Sequence, residues 1–268
     1  MDFYFSTLYG IVQGLTEFLP VSSSAHLALL PYFFTVEDPG VTFDLAMHVG
    51  TALAVFCYFR RDVYVLTIEL LALLGKKPSV YGRRNYCVNF IITTVVSVLF
   101  AFVLKDYAPQ FGRNPQVIAF NLCFFGILML LADYFMSESE HLVMSEKYQW
   151  SKSLLIGIFQ AIALFPGVSR SGATLTIARF LKLGRDEAAA YSFLLSLPLI
   201  FGGFILKLAE FTESSGHGGW SVALWGMFVS FLVGLLAIHF FLKFIKKMGL
   251  WIFSLYRIAL AIGILMLS

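Results

Sequence analysis

The residues of this chain that could do chemistry fall into two short stretches. The first, GIVQGLTEFLPVSSSAH from Gly10 to His26, holds an amide at Gln13, a carboxylate at Glu17, hydroxyls at Ser22, Ser23 and Ser24, and an imidazole at His26. The second, GIFQAIALFPGVSRSGAT from Gly157 to Thr174, sets the guanidinium of Arg170 among the hydroxyls of Ser169, Ser171 and Thr174. They align at an offset of 147 positions: Gly10 with Gly157, Gln13 with Gln160, Phe18 with Phe165, Ser22 with Ser169 and Ser24 with Ser171. They differ at Glu17 against Leu164 and at Ser23 against Arg170. A carboxylate in a partly dry cavity can serve as general base or metal ligand. Hydroxyls ahead of a helix cap it, and with the positive end of that helix they form an anion site. A guanidinium adds charge and a bidentate fork. Two such helix starts facing each other would suit a phosphate group.

Plainer readings stand beside these. Glu17 could cap its loop or pair with Arg170, and Arg170 could be no more than its counter-ion. One serine as an N-cap is ordinary, but three are not explained that way. His26 reads as a general base, as a nucleophile on phosphorus, or as a packing group. Asp44 and His48, four residues apart, read as an orienting pair or a simple intrahelical hydrogen bond. His239 and Arg257 lack a motif and read as packing or headgroup contacts, while His141 and His217 lie in loops and carry no signal.

The elements that must position these groups are apolar. The 268 residues are 59% hydrophobic and 13% charged, with 29 Phe, and the mean hydropathy is +0.82. A soluble domain would carry about a quarter charged residues, so the class is a polytopic helical membrane protein. A net charge of +3 argues for no nucleic-acid partner. The N-terminus has an acid at position 2 and no basic region, so no cleavable signal peptide is expected. Cys57, Cys87 and Cys123 show no metal or disulfide spacing and read as small buried hydrophobes.

Residues 3–19 are apolar but would span roughly 25 Å as a helix, and Pro20 ends them. A second short apolar piece runs from Ala25 to about Phe34. Neither crosses a bilayer alone, so the pair reads as a re-entrant helix–loop–helix. Full spans follow at about 43–59, 87–104 and 116–135, with a basic loop between the first two. A polar cytoplasmic linker over 136–150 then divides a single membrane domain, 1–268, into repeats of about 1–135 and 151–268. The second half has a broken segment at about 153–181, its helix beginning near Ala173, and spans near 187–209, 220–242 and 250–267. Three crossings per half force the second repeat to be inverted, giving six full spans and two re-entrant tips near the midplane. On this topology one side takes fourteen Lys and Arg, and the other takes only Lys105, Arg113 and Lys207. That asymmetry puts both termini and the first re-entrant opening on the outer, periplasmic face. Arg170 and Arg257 remain inside the membrane.

The first stretch resembles the E/Q-x-x-x-E-F-L-P-V-S-S-x-x-H signature of the undecaprenyl-pyrophosphate phosphatases linked to bacitracin resistance. PGVSRSGAT resembles that family's P-G-x-S-R-S-x-x-T box, and the likeness extends through FDLAMHVGTALAV and YRIALA. The resemblance implies a multi-pass protein of the bacterial inner membrane. It would hydrolyse the lipid-linked polyprenyl pyrophosphate to the monophosphate and inorganic phosphate, recycling the carrier for cell-wall synthesis. It implies catalytic roles for Glu17, Ser23, His26 and Arg170. Pyrophosphate binding would fall to Gln13, Ser22, Ser24, Ser169, Arg170, Ser171 and Thr174. It also implies a divalent cation, Mg²⁺ or Ca²⁺. Gln13 stands at the family's first acidic position, so Glu17 and the pyrophosphate itself would hold most of the ion. Ser23 is the first choice for nucleophile, with His26 or Glu17 taking its proton; a water activated by Glu17 is the competing scheme. The rival function is a prenyl-phosphate transporter or flippase, whose inverted repeats would use the same pocket. A structural scaffold leaves the buried Glu, Arg and serines unexplained. A homodimer is left open.

Overall fold

The structure, a computed structural model, describes residues 3–34, 38–111, 114–136, 144, 146–214 and 219–267. Arg113, His141, His217 and most of the polar linker lie outside these, as does the side chain of Lys207. Among the described residues there are twelve helices and no strand. The first short helix–loop–helix is α1 (Phe3–Thr16) and α2 (Ser23–Phe34). Then come α3 (Val41–Tyr58), α4 (Arg60–Leu74), α5 (Arg84–Leu104), the single turn α6 (Ala108–Phe111) and α7 (Pro115–Phe135). The second half runs α8 (Trp150–Ile162), α9 (Arg170–Phe180), α10 (Arg185–Ser214), α11 (Gly219–Met248) and α12 (Trp251–Leu267).

Among the described residues four helices are long and apolar enough to cross a membrane: Arg84–Leu104, Pro115–Phe135, Arg185–Leu206 and Trp220–Met248; two shorter apolar ones are Phe43–Tyr58 and Trp251–Met266. The burial pattern is that of a protein dissolved in lipid. Leu206 is 83% exposed and Phe102 66%, whereas Gln13, Asn89, Thr93 and Ser97 are fully buried. Hydrocarbon solvates the apolar side chains but offers polar groups no partner, so the polar groups turn inward and bond each other. Cys57, expected inside, is exposed on this apolar outer surface.

One expected loop is partly a helix. The chain turns at Phe59 and continues at once as α4, outside the spanning helices, with Leu71 and Leu74 exposed on one side. Its Glu69 is buried and accepts from the Ser79 hydroxyl at 2.8 Å and the Tyr81 N–H at 2.6 Å. Burial alone would raise its pKa, but those donors outweigh it and hold the carboxyl below its ordinary value.

The first helix of each short pair packs on a long helix of the other half: α1 on α11, and α8 on α5. α3 lies against α10 and α7 against α12. Aligned glycines allow the close crossings. A Cβ on Gly10 would sit 2.6 Å from the Gly226 carbonyl oxygen, and one on Gly157 would sit 2.8 Å from that of Thr93. Small residues at helix crossings are how membrane helices gain contact without a hydrophobic drive.

Candidate active site

The two short helix–loop–helix units, α1–α2 and α8–α9, break in the same way. Pro20 and Pro166, which lack an N–H, stop the first helix of each pair. The chain then turns through a left-handed residue, Ser22 at φ 74° and Ser169 at φ 70°. Non-glycine residues hold such angles at a cost of about 1–3 kcal/mol, and they cluster at functional sites. Each of these serines caps the helix that follows. Ser22 Oγ accepts from the Ala25 N–H at 3.4 Å, and Ser169 Oγ from the Gly172 N–H at 3.1 Å. Their hydroxyls also lie next to their aligned partners, Ser22 beside Ser24 at 3.2 Å and Ser169 beside Ser171 at 3.3 Å. The second helix begins at Arg170, one turn earlier than expected, so Arg170 stands in its first turn where the amide dipoles are most positive. The Ser171 hydroxyl donates to the Leu19 carbonyl at 3.3 Å and joins one elbow to the other.

Glu17 is the centre of the site, its side chain 4% exposed. Its Oε1 accepts from Arg170 Nη2 at 2.7 Å. Its Oε2 accepts from the Ser23 hydroxyl at 2.7 Å and from Gln13 Nε2 at 2.9 Å, with His48 Nε2 at 3.3 Å. Arg170 reaches across 153 positions to make this pair and also donates from Nη1 to the Ser192 carbonyl at 3.1 Å. Thr174 Oγ1 donates to the Arg170 carbonyl at 2.8 Å and lies 2.5 Å from Ser192 Oγ. Of the residues singled out from sequence, Gln13, Glu17, Ser23 and Arg170 therefore meet directly. Ser22, Ser24, Ser169, Ser171 and Thr174 shape the two elbows that bring them together.

His26 points elsewhere. Its Nδ1 lies 2.8 Å from the Ser22 carbonyl, which can only accept, so Nδ1 carries the proton. Its Nε2 lies 2.7 Å from the Tyr256 hydroxyl, and the two rings stack with centroids 5.7 Å apart. The Ser23 hydroxyl donates its hydrogen bond to Glu17, not to His26. His48 does not use Asp44 as a carboxylate orienter. Its Nδ1 bonds the Asp44 backbone carbonyl at 2.7 Å, and that turns Nε2 toward Glu17.

Sequence reasoning missed three participants. Ser192 carries no motif, and Tyr256 is half exposed on α12. Arg257, expected as a packing or headgroup contact, is instead fully buried between the elbows. It donates from Nε to Leu122, from Nη1 to Pro20, and from Nη2 to Asn121, Gly167 and Val168, all backbone carbonyls. In sequence it stood as a charge inside the last apolar span, where insertion costs about 2.5–3.5 kcal/mol, and it lies with Tyr256 in the YRIALA segment that carries part of the family resemblance. His239, read as packing, stands 3.4 Å from the Tyr58 hydroxyl.

No cluster of three or more His, Cys, Asp or Glu side chains that could hold a metal occurs among the described residues. Gln13 Oε1, however, is a buried oxygen with no partner, one turn from the Glu17 carboxylate. One carboxylate and one amide oxygen fit a hard cation shared with phosphate oxygens, not one caged by protein alone.

The helical, lipid-solvated fold and the paired elbows around a buried Glu–Arg–Ser centre define a polytopic membrane protein with an internal polar site. The model of the family described as "Bacitracin resistance protein BacA" matches residues 6–263. A protein of Marinobacter nauticus named undecaprenyl-diphosphatase is 42% identical over 261 residues, 97% of each chain. Proteins of the same name from Idiomarina loihiensis and Saccharophagus degradans are 39% and 40% identical, each over 267 residues. They cover 100% and 98% of this chain and 99% and 97% of their own lengths. The chain belongs to the BacA family.

Proposed function

We propose that this protein is the undecaprenyl-pyrophosphate phosphatase of a bacterial inner membrane. It hydrolyses the lipid pyrophosphate to undecaprenyl phosphate and inorganic phosphate. The observation that carries the reading is the contact of Ser23 Oγ with Glu17 Oε2 at 2.7 Å, while Arg170 holds Oε1 at 2.7 Å. A hydroxyl, a carboxylate to take its proton, and a cation for phosphoryl charge lie within one hydrogen-bonded cluster.

In this mechanism the pyrophosphate enters between the elbows from the outer face. Arg170 shifts from Glu17 to the phosphate oxygens, where the Ser169 and Ser171 hydroxyls and the first amides of α9 also face the developing charge. Glu17, relieved of its counter-ion, accepts the Ser23 proton as Oγ attacks phosphorus, and undecaprenyl phosphate or inorganic phosphate leaves. Glu17 then passes that proton to the leaving phosphate and, ionised again, takes a proton from the water that splits the phosphoseryl ester and returns it to Ser23 Oγ; in the competing scheme that water attacks the pyrophosphate directly. Glu17 and Gln13 Oε1 would hold the Mg²⁺ or Ca²⁺ together with the pyrophosphate, and when bound the ion neutralises phosphate charge. His26, engaged with Ser22 and Tyr256, orients the first elbow. A groove of about 390 Å³ beside the second elbow, lined by Phe111, Val117, Phe120 and Phe165, suits the first isoprene units of the tail.

The topology belongs to the same proposal: two inverted repeats, about 1–135 and 151–268, six crossings, and both termini outside. The matched packing of α1 on α11 and α8 on α5, the aligned left-handed serines and the paired glycines support it. So does the meeting of Asp133, Arg179, Arg185 and the start of α12 at one end of the molecule, the end assigned to the cytoplasm. The same symmetry favours the second reading, a transporter of prenyl phosphate. The restriction of Glu17 to one elbow favours hydrolysis.

The test is phosphate release from undecaprenyl pyrophosphate by purified, detergent-solubilised protein, with and without Mg²⁺ or Ca²⁺, beside Arg170→Ala. Release by the parent and none by the variant is the expected result. Lipid binding without release would move the assignment to transport.

A further inference from the structure

We propose that Arg257 is the positioning residue of the phosphate cradle, setting the two elbows against each other from behind. The proposal rests on the reading above, in which the elbows hold the pyrophosphate. The guanidinium reaches both elbows at once, through Pro20 of the first and Gly167 and Val168 of the second, at 3.3, 2.9 and 2.9 Å. Its remaining bonds, to Leu122 and Asn121 at 3.2 and 3.3 Å, anchor the assembly to α7. Asn121 completes the anchor by donating from Nδ2 to the Pro166 carbonyl at 2.7 Å. Three consecutive carbonyls of the second elbow, 166 to 168, are thereby fixed on one side.

A trans peptide plane places the N–H opposite the preceding carbonyl. With the Val168 oxygen turned to Arg257, the Ser169 N–H points away from it. The orientation of the residues that lead into Ser169 and Arg170 is therefore set by a side chain 87 positions away from Arg170. Only an arginine can do this, because it presents five N–H donors in a rigid planar fork, whereas lysine has three on a point charge. Among the described residues no carboxylate bonds Arg257, so its whole charge also stands behind the start of α9. Gly172, in the first turn of that helix, leaves the space the fork occupies: a Cβ there would lie 2.5 Å from Arg257 Nη1. The same Cβ would press on that of Ser169 at 3.1 Å, so Gly172→Ala tests the elbow and Arg257→Lys tests the fork.

The experiment compares the parent with Arg257→Lys, Gly172→Ala, Arg170→Lys and the Arg257→Lys/Arg170→Lys double variant. The measured quantities are kcat, KM, and inhibition by inorganic pyrophosphate, on monodisperse detergent-solubilised protein. The kcat values are normalised to the number of pyrophosphate sites, so that lost folded protein does not count as lost function. Arg257→Lys is expected to lower kcat/KM at least a hundredfold and to raise the pyrophosphate inhibition constant at least tenfold, with Gly172→Ala in the same direction. Because Arg257 acts through the elbow that carries Arg170, adding Arg257→Lys to Arg170→Lys should cost less than threefold more. Normalised constants within threefold of the parent for Arg257→Lys would overturn the proposal, as would fully multiplicative effects in the double variant. An Arg170→Lys enzyme with parental turnover and pyrophosphate inhibition would overturn the cradle itself. An impaired Arg170→Lys beside a parental Arg257→Lys would overturn only the role of Arg257.

Discussion

Glu17→Gln separates the chemistry of this site from its grip on phosphate. The substitution keeps the shape and removes one charge. In the parent, Arg170 and Glu17 are 13% and 4% exposed and bonded at 2.7 Å, so the carboxylate holds the guanidinium that must turn to substrate. A unit charge pair at 4 Å is worth about 4 kcal/mol at an effective dielectric of 20. If a third of that is released to an incoming anion, pyrophosphate binds about tenfold tighter, since ~1.4 kcal/mol is tenfold. The proton acceptor for Ser23 is lost at the same time. Losing a general base slows turnover by about 10²–10⁴-fold, or about 2.7–5.4 kcal/mol of barrier. Folding also loses stability, about 3–5 kcal/mol, the scale for removing one partner of a buried ion pair and leaving the other charge unpaired. Gln13 can turn its unpartnered oxygen toward the new amide and recover part of it. The assay is phosphate release at saturating lipid for kcat, paired with the inhibition constant of inorganic pyrophosphate measured at sub-saturating lipid and extrapolated to zero added divalent cation, so that a cation held by Glu17 does not enter the comparison. The expected outcome is a collapsed kcat with a lower inhibition constant. Turnover within a few-fold of the parent, or pyrophosphate inhibition lost along with turnover, would refute the assignment of base and counter-ion.

Ser23→Ala should reduce kcat by at least a thousandfold and leave pyrophosphate inhibition within a few-fold; substantial residual turnover would shift the nucleophile to water. Gly10→Val places branched carbons where the Gly226 carbonyl already lies 2.6 Å from a Cβ. Overpacking of this kind costs about 1–3 kcal/mol or more, so thermal unfolding in detergent should fall by several degrees. Glu69, whose folded pKa lies below its ordinary 4.5, contributes stability that is fully present above pH 4.5 and is lost as pH falls through the lowered value. Glu69→Gln should therefore flatten the acid limb of a melting-temperature profile and leave it parallel to the parent at neutral pH.

Much of this protein is written locally. Membrane class follows from composition, because no soluble core could absorb 29 Phe with so few charges. The elbows follow from Pro20 and Pro166, which stop a helix whatever surrounds them, and from serines that cap the next one. Gln13 and Glu17 are neighbours by helical spacing alone, four residues apart on one face. Other features needed the packed chain. α4 is not legible in this way because its 15 residues have neither the length of a span nor the polarity of a loop. The preference of Ser23 for Glu17 over His26 depends on where the first elbow turns each side chain and on Tyr256, which lies 230 positions from His26. Arg257 shows the division most clearly. Its sequence context announces an expensive charge in an apolar helix, within the YRIALA segment of the family resemblance, but no partner for it. Its partners are main-chain carbonyls, which every residue possesses, so no residue type could have named them. Only the closure of two elbows and α7 around one guanidinium decided which carbonyls those would be.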